Sequence, residues 1–167
     1  MKGSSMKKFQ PALLFFCLLG IIPVGAEAAQ QYSISKNGSE VTDKKTGLIW
    51  RRCTEGMSWN GKTCTGNPTL FIYKGAVEFS IAESTKTGLK WRVPMMAELF
   101  SIVDKDHSHP AINPKIFPTT PAASYWVTSP AVTEFRYGWN VDFDGGYMNY
   151  SFNNGETRHV RLVRNAR

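Results

Sequence analysis

Three clusters of side chains in this chain have the types and spacing to do chemistry. In DKDHSH (104–109), Asp104, Asp106, His107 and His109 offer two carboxylates and two imidazoles, a ligand set for zinc or copper if the loop folds them together. In a Pro-rich setting the same residues read more plainly as a solvated polar turn. In WNVDFDGG (139–146), Asn140, Asp142 and Asp144 are oxygen ligands hard enough for Ca²⁺. Strand alternation puts Asn140 and Asp142 on one face, which a solvated strand would do as well. Arg136, Arg158, His159, Arg161, Arg164 and Arg167 concentrate positive charge near the C-terminus, with Tyr137, Tyr147 and Tyr150 close in sequence. Guanidinium forks match sulfate and carboxylate groups, and aromatic faces stack on sugar rings. Arg136, Tyr137, Tyr147, Tyr150, Arg158 and Arg161 are therefore the candidate surface for an anionic glycan. The alternative is that these arginines are solvated or tie the last strand to its neighbours.

Other chemistry lacks its parts. No Ser-His-Asp order, nucleophile elbow, phosphate loop or paired acid motif stands out, and three histidines make a poor inventory for acid–base catalysis. The chain is expected to be non-enzymatic and to need no cofactor, Ca²⁺ being the one open possibility. No basic helix or nucleic-acid motif is present, so nucleic acid is not an expected partner.

The first residues read as an address. Lys2, Lys7 and Lys8 precede an apolar stretch from Ala12 to Val24, and Ala26-Glu27-Ala28 fits a small-x-small cleavage site, so residues 1–28 are expected to be a secretory signal peptide. The apolar stretch is short of the roughly 20 residues that span a bilayer, so no stable membrane span is expected after cleavage. Residues 29–167 then form one domain, and the net charge falls from +7 to +5. That excess suits anionic partners outside the cytoplasm. Cys17 leaves with the peptide. Cys53 and Cys64 remain, and an even pair in an exported chain reads first as a disulfide closing a loop, worth about 2–3 kcal/mol.

The elements that must position these residues follow from periodicity. Gln30–Lys36 alternates Tyr32 and Ile34 with serines and ends at the Asn37-Gly38 turn; a strand, a polar turn and a second strand then run from Val41 to Trp50. Asn67-Pro68 is predicted to open a helix carrying Ile72, Ala76 and Phe79 on one face and ending at Thr87-Gly88. A second helix follows Pro94, with Met95, Leu99 and Ile102 on one face. Residues 104–121 form a long Pro-rich loop anchored by Ile112, Ile116 and Phe117. Tyr125–Ser129 is a strand. Three further runs, separated by turns at Asp144-Gly145-Gly146 and Asn153-Asn154-Gly155 and ending with Thr157–Arg164, predict an antiparallel meander.

In this order, VTDKKTGLIW (41–50), GLKWRVPMMAELFSIVD (88–104), YWVTS (125–129) and HVRLVR (159–164) resemble the Lcl C-terminal domain family, also called DUF1566. The resemblance covers nearly the whole chain after residue 28. It implies an α+β, C-type lectin-like fold, similar also to the formylglycine-generating-enzyme module: two helices packed on a twisted antiparallel sheet, long loops and a C-terminal β-meander. The family pattern, roughly D-W-R-L-P-T-x-x-E-L, assigns structural duty to Trp91, Arg92, Pro94 and Glu98, and Trp50 and Trp126 fall in its other motifs. The pattern's Thr and Glu form a capping box for the second helix, whereas Met95 stands here in place of the Thr. Losing a side-chain cap costs about 1 kcal/mol, so another acceptor or packing must compensate.

Two more departures bear on activity. Family members often end in R-C-V-R, where this chain has Arg161-Leu162-Val163-Arg164, and the late cysteine pair that the copper-dependent oxidase chemistry needs is absent. Calcium-dependent lectins pair a Trp-Asn-Asp strand with a Glu-Pro-Asn or Gln-Pro-Asp loop, and neither tripeptide occurs. The expectation is a secreted, periplasmic or envelope protein of bacterial type, binding an anionic glycan as an adhesin or envelope accessory. The alternative is a structural or protein-binding subunit of a cell-surface assembly, with self-association open. A basic patch would favour the first, an exposed aromatic or apolar patch the second.

Overall fold

The structure, a computed structural model, describes residues 31–128, 137–152 and 155–166. The expected signal peptide, Arg136, the residues Asn153-Asn154 for which a turn is expected, and Arg167 lie outside the described residues.

Strands β1 (Tyr32–Ile34), β2 (Glu40–Asp43) and β3 (Leu48–Arg51) follow one another antiparallel. The β2–β3 turn is fastened by Asp43, whose carboxylate accepts from the Lys45 backbone N–H at 2.9 Å and the Thr46 hydroxyl at 2.8 Å. Val41 pairs with Trp50, and both are buried. A short hairpin, β4 (Ser58–Trp59) and β5 (Cys64–Thr65), is closed by the Cys53–Cys64 disulfide.

Helix α1 spans Tyr73–Thr87 and stops at Gly88, which takes the left-handed conformation (φ 68°) open to glycine. It starts later than Asn67-Pro68 predicts. Phe71 is extended and forms an antiparallel bridge with Arg158, so strand-like pairing wins over helix for the residues just before Tyr73. Helix α2 is one short segment, Met96–Phe100. Met95 offers no oxygen, but its backbone N–H donates to the Glu98 carboxylate at 2.7 Å, so half of the capping box survives without the threonine. The loop that follows buries Ile112, Ile116 and Phe117.

Strands β6 (Ser124–Trp126), β7 (Tyr137–Asp142) and β8 (Tyr147–Phe152) make a second antiparallel sheet in that order. A Cβ at Gly138 would lie 2.4 Å from the Trp126 ring, so glycine there is what admits the indole. The expected third strand of a meander is not added beside β8; the last run meets this sheet at its other edge, through an isolated parallel bridge between His159 and Tyr125 of β6. Residues 158–162 instead cross between the sheets, bridging Phe71 and Tyr125, and the chain ends in β9 (Val163–Asn165), antiparallel to β3. The reason is burial on both sides. Val160 and Leu162 enter a cluster with Ala76, Trp91, Val93 and Trp126. Val163 enters the other, with Trp50, Leu99, Ile112, Phe117, Tyr125 and Phe143. The result is an α+β domain with two helices and antiparallel sheets, in which the last run is a seam between two apolar clusters.

Candidate functional site

The seam decides the fate of the expected basic surface. Arg161 is 0% exposed. Its Nη1 donates to the backbone carbonyls of Arg51, at 2.9 Å, and Arg52, and its Nη2 to the hydroxyls of Thr120 at 2.8 Å and Thr54 at 3.3 Å, with the guanidinium over the Phe117 ring. Thr54 in turn bonds the Tyr125 hydroxyl at 2.7 Å. Arg161 is thus a core residue and no part of a ligand surface: neighbours on both faces fill the space, and every acceptor it meets comes from this chain. Beside it, burial pushes the Glu55 carboxyl up, while Arg51, 2.9 Å away, pulls it down.

Arg158 lies against Glu156 at 2.5 Å and over the Trp126 ring at 4.5 Å, which leaves little of it to solvent. His159 is buried, and desolvation lowers its pKa. Tyr147 and Tyr150, by contrast, are 64% and 50% exposed on β8, and Met148 between them is 49% exposed. Tyr150 packs against Trp139 with ring centroids 4.7 Å apart. Arg158 and Arg161 are thus largely covered, whereas Tyr147 and Tyr150 are exposed. Tyr137 begins β7.

Most of the candidate metal ligands meet structural partners. Asn140 is buried, opposite Trp126 in the sheet register. Asp142 Oδ1 accepts the Asp144 backbone N–H at 2.8 Å, closing the β7–β8 turn. Asp144 Oδ1 meets His109 Nδ1 at 2.6 Å, while His107 Nδ1 lies 3.1 Å from Asp104. The two histidines of the loop are thus drawn to two different carboxylates. Among the described residues no group of three or more His, Cys, Asp and Glu side chains is gathered to hold a metal ion.

A different cationic site forms at the corner 88–95. Arg92 and Val163 bridge antiparallel, with backbone bonds of 2.9 and 3.0 Å, which lays the Gly88–Arg92 segment beside β9. Arg92 holds Glu98 through two bonds, Nη1 at 2.6 Å and Nη2 at 2.7 Å, and also donates from Nη2 to Asn165 at 3.1 Å. Burial works to raise the Glu98 carboxyl, but the Arg92 and Met95 donors outweigh it and hold it below the usual range. Arg164 donates to Glu40 at 2.7 Å. Trp91, buried, has the Arg164 guanidinium 5.1 Å and the Arg51 guanidinium 4.9 Å from its ring.

Between these elements opens a cleft of about 680 Å³, lined by Leu89, Lys90, Arg92, Arg164 and Asn165 together with Gly88 and Ala166. Three cations face it and no carboxylate among the described residues does; Glu98 and Glu40 hold their arginines from outside the lining. Such an arrangement favours an anion with a small apolar contact, at Leu89. Sequence reasoning took Arg92 as purely structural and did not single out Lys90. The signal lay in the spacing of two distant motifs, GLKWR and VRN, which only the bridge brings together.

The described residues thus form an α+β scaffold with a disulfide-stapled hairpin and clefts at its surface. The family is shown by sequence: residues 39–164 match the model of the Lcl C-terminal domain, and the chain belongs to that family. No curated protein and no solved structure matches the chain. No helix among the described residues is long and apolar enough to cross a membrane.

Proposed function

We propose that the chain is an exported, non-enzymatic binding domain of C-type lectin-like type that recognises an anionic glycan at the cell envelope, and that the anion sits in the cleft between Gly88–Arg92 and β9. The observation that carries the reading is the lining of that cleft by Lys90, Arg92 and Arg164 without a facing carboxylate among the described residues. Two guanidiniums already oriented by Glu98 and Glu40 lose little entropy on meeting a sulfate or carboxylate, and exposed Lys90 adds a mobile charge. The disulfide supports residence in an oxidising compartment.

The test is retention on immobilised sulfated, carboxylated and neutral glycans across a salt series. Saturable binding to the acidic glycans should weaken as salt rises, and Lys90→Glu should weaken it roughly tenfold, or about 1.4 kcal/mol. Absence of saturable binding at low salt, or indifference to Lys90→Glu, sinks the reading. A second reading is favoured by Tyr147, Met148 and Tyr150 exposed in succession on β8: a protein partner, a second copy of the chain included, docks on that strand. A Tyr147→Ser, Tyr150→Ser double variant that abolishes association while glycan retention is unchanged would support it.

A further inference from the structure

Leu89 also borders a second cleft, of about 450 Å³, between the stapled hairpin and the Gly88–Trp91 turn. Its chemistry is unlike that of the basic cleft. The lining brings together Trp59, Asn37, Ser39, Glu40, Arg51 and Glu55, so an indole stands beside hydrogen-bonding groups of both signs. These groups are locked from behind. Arg51 donates to Glu55 at 2.9 Å and to Glu83 at 2.6 Å, and Glu40 is held by Arg164 at 2.7 Å. The Arg52 guanidinium lies over the Trp59 ring at 4.3 Å, with its own donors on the carbonyls of Ile116, Gly38 and Lys115 at 2.8, 2.9 and 3.0 Å. Gly38, with φ of 76°, admits the indole edge where a Cβ would lie 2.5 Å from Trp59 Nε1. The indole is thus fixed by Arg52 and Gly38 and still borders the cleft. Asn37 Oδ1 is spent on Ser35 and Ser39, so the Nδ2 donors are the part of that side chain left for a ligand.

We infer that this cleft binds a neutral, hydroxyl-rich ring, an uncharged sugar residue, which lays its apolar face on Trp59 and sets its hydroxyls between Glu40, Asn37 and Arg51. Each alternative meets an obstacle in the lining. An anion would face the carboxylates of Glu40 and Glu55. A cation would face Arg51. An apolar ligand would strip water from Glu40 and Arg51 and return no hydrogen bond, leaving charged groups unsatisfied. A hydroxyl donates to a carboxylate and accepts from a guanidinium or amide, so it answers both signs. The volume lies in the range of roughly 300–1,000 Å³ common to small-molecule sites.

This inference stands apart from charge-driven binding, and the experiment keeps the two separate. The processed protein is titrated with free maltose, cellobiose, lactose and chitobiose in about 0.5 M salt, where exposed charge attractions are screened, by saturation-transfer NMR and tryptophan fluorescence. At least one disaccharide should bind saturably, with Trp59→Phe and the exposed-site variant Asn37→Ala each weakening it by about fivefold or more. Lack of saturable binding by all four sugars, or affinity unchanged in both variants, overturns the inference. Retention of acidic glycans at low salt, measured on the same preparation, reports on the basic cleft alone, so either idea can fail without the other.

Discussion

The run Arg158–Arg164 and the strand β8 stand close in sequence and look alike as candidate recognition surface, yet the fold treats them in opposite ways. In the run, charged groups disappear: Arg161 is fully buried, His159 is buried, and Arg158 is folded back on Glu156 and Trp126. On β8, apolar and aromatic groups come out: Tyr147, Met148 and Tyr150 are all exposed. Polarity alone therefore says little about position here. What differs is the number of neighbours. The run has an apolar cluster on each side, whereas β8 pairs with β7 as the last strand in its sheet order. A charge is carried inside where acceptors are at hand, and the aromatic rings of β8, at the end of the sheet order, stay half exposed or more.

The contrast can be broken most sharply at Arg161. Arg161→Ala leaves two backbone carbonyls and two hydroxyls without their donor and a cavity over Phe117, and should cost about 3–5 kcal/mol in urea unfolding. A loss below about 1 kcal/mol would mean that the guanidinium is solvated. At Arg158, whose side chain has Trp126 on one side and Glu156 at its tip, substitution by Ala should cost about 1 kcal/mol, chiefly through the ring contact.

His159 tests the same run through pH. Its folded pKa is lowered by burial, so the unfolded chain binds the proton first; stability is full above about pH 6.5 and falls as pH drops toward the folded pKa, below which the loss levels off. His159→Gln should remove that slope, which for one proton cannot exceed about 1.4 kcal/mol per pH unit. Thermal melts of both proteins between about pH 5 and 8 measure it. The smallest effect belongs to β8: Tyr147→Ser and Tyr150→Ser should each change unfolding stability by less than about 0.5 kcal/mol, Tyr150 being the larger because of its contact with Trp139.

Much of the scaffold was legible because local chemistry specified it. Asp43, Lys45, Thr46 and Gly47 make the β2–β3 turn where the polar stretch predicts one, the two glycines after Asp144 make the β7–β8 turn, and the cysteine pair closes its hairpin. The misses were non-local. Asn67-Pro68 predicts a helix start that the Phe71–Arg158 bridge displaces, and alternation in 157–164 predicts a sheet strand where burial on both sides makes a seam. The candidate site was the least legible. A string of arginines reads the same whether its partners are solvent or carbonyls more than a hundred residues earlier, as Arg51 O and Arg52 O are for Arg161. The basic cleft needed Lys90 and Arg92 to be set beside Arg164, and no local pattern announces that register.

The seam also dictates the order in which the molecule is able to assemble. Residues 158–165 pair with Phe71, Tyr125, Arg92 and β3, with Leu48 set opposite Asn165, so the contacts that close both apolar clusters span most of the chain. Loop-closure entropy must be met before such contacts form, so they are expected to form late in folding. Until the last run arrives, the cluster around Trp91 and Trp126 lacks Val160 and Leu162, and the cluster around Trp50 lacks Val163.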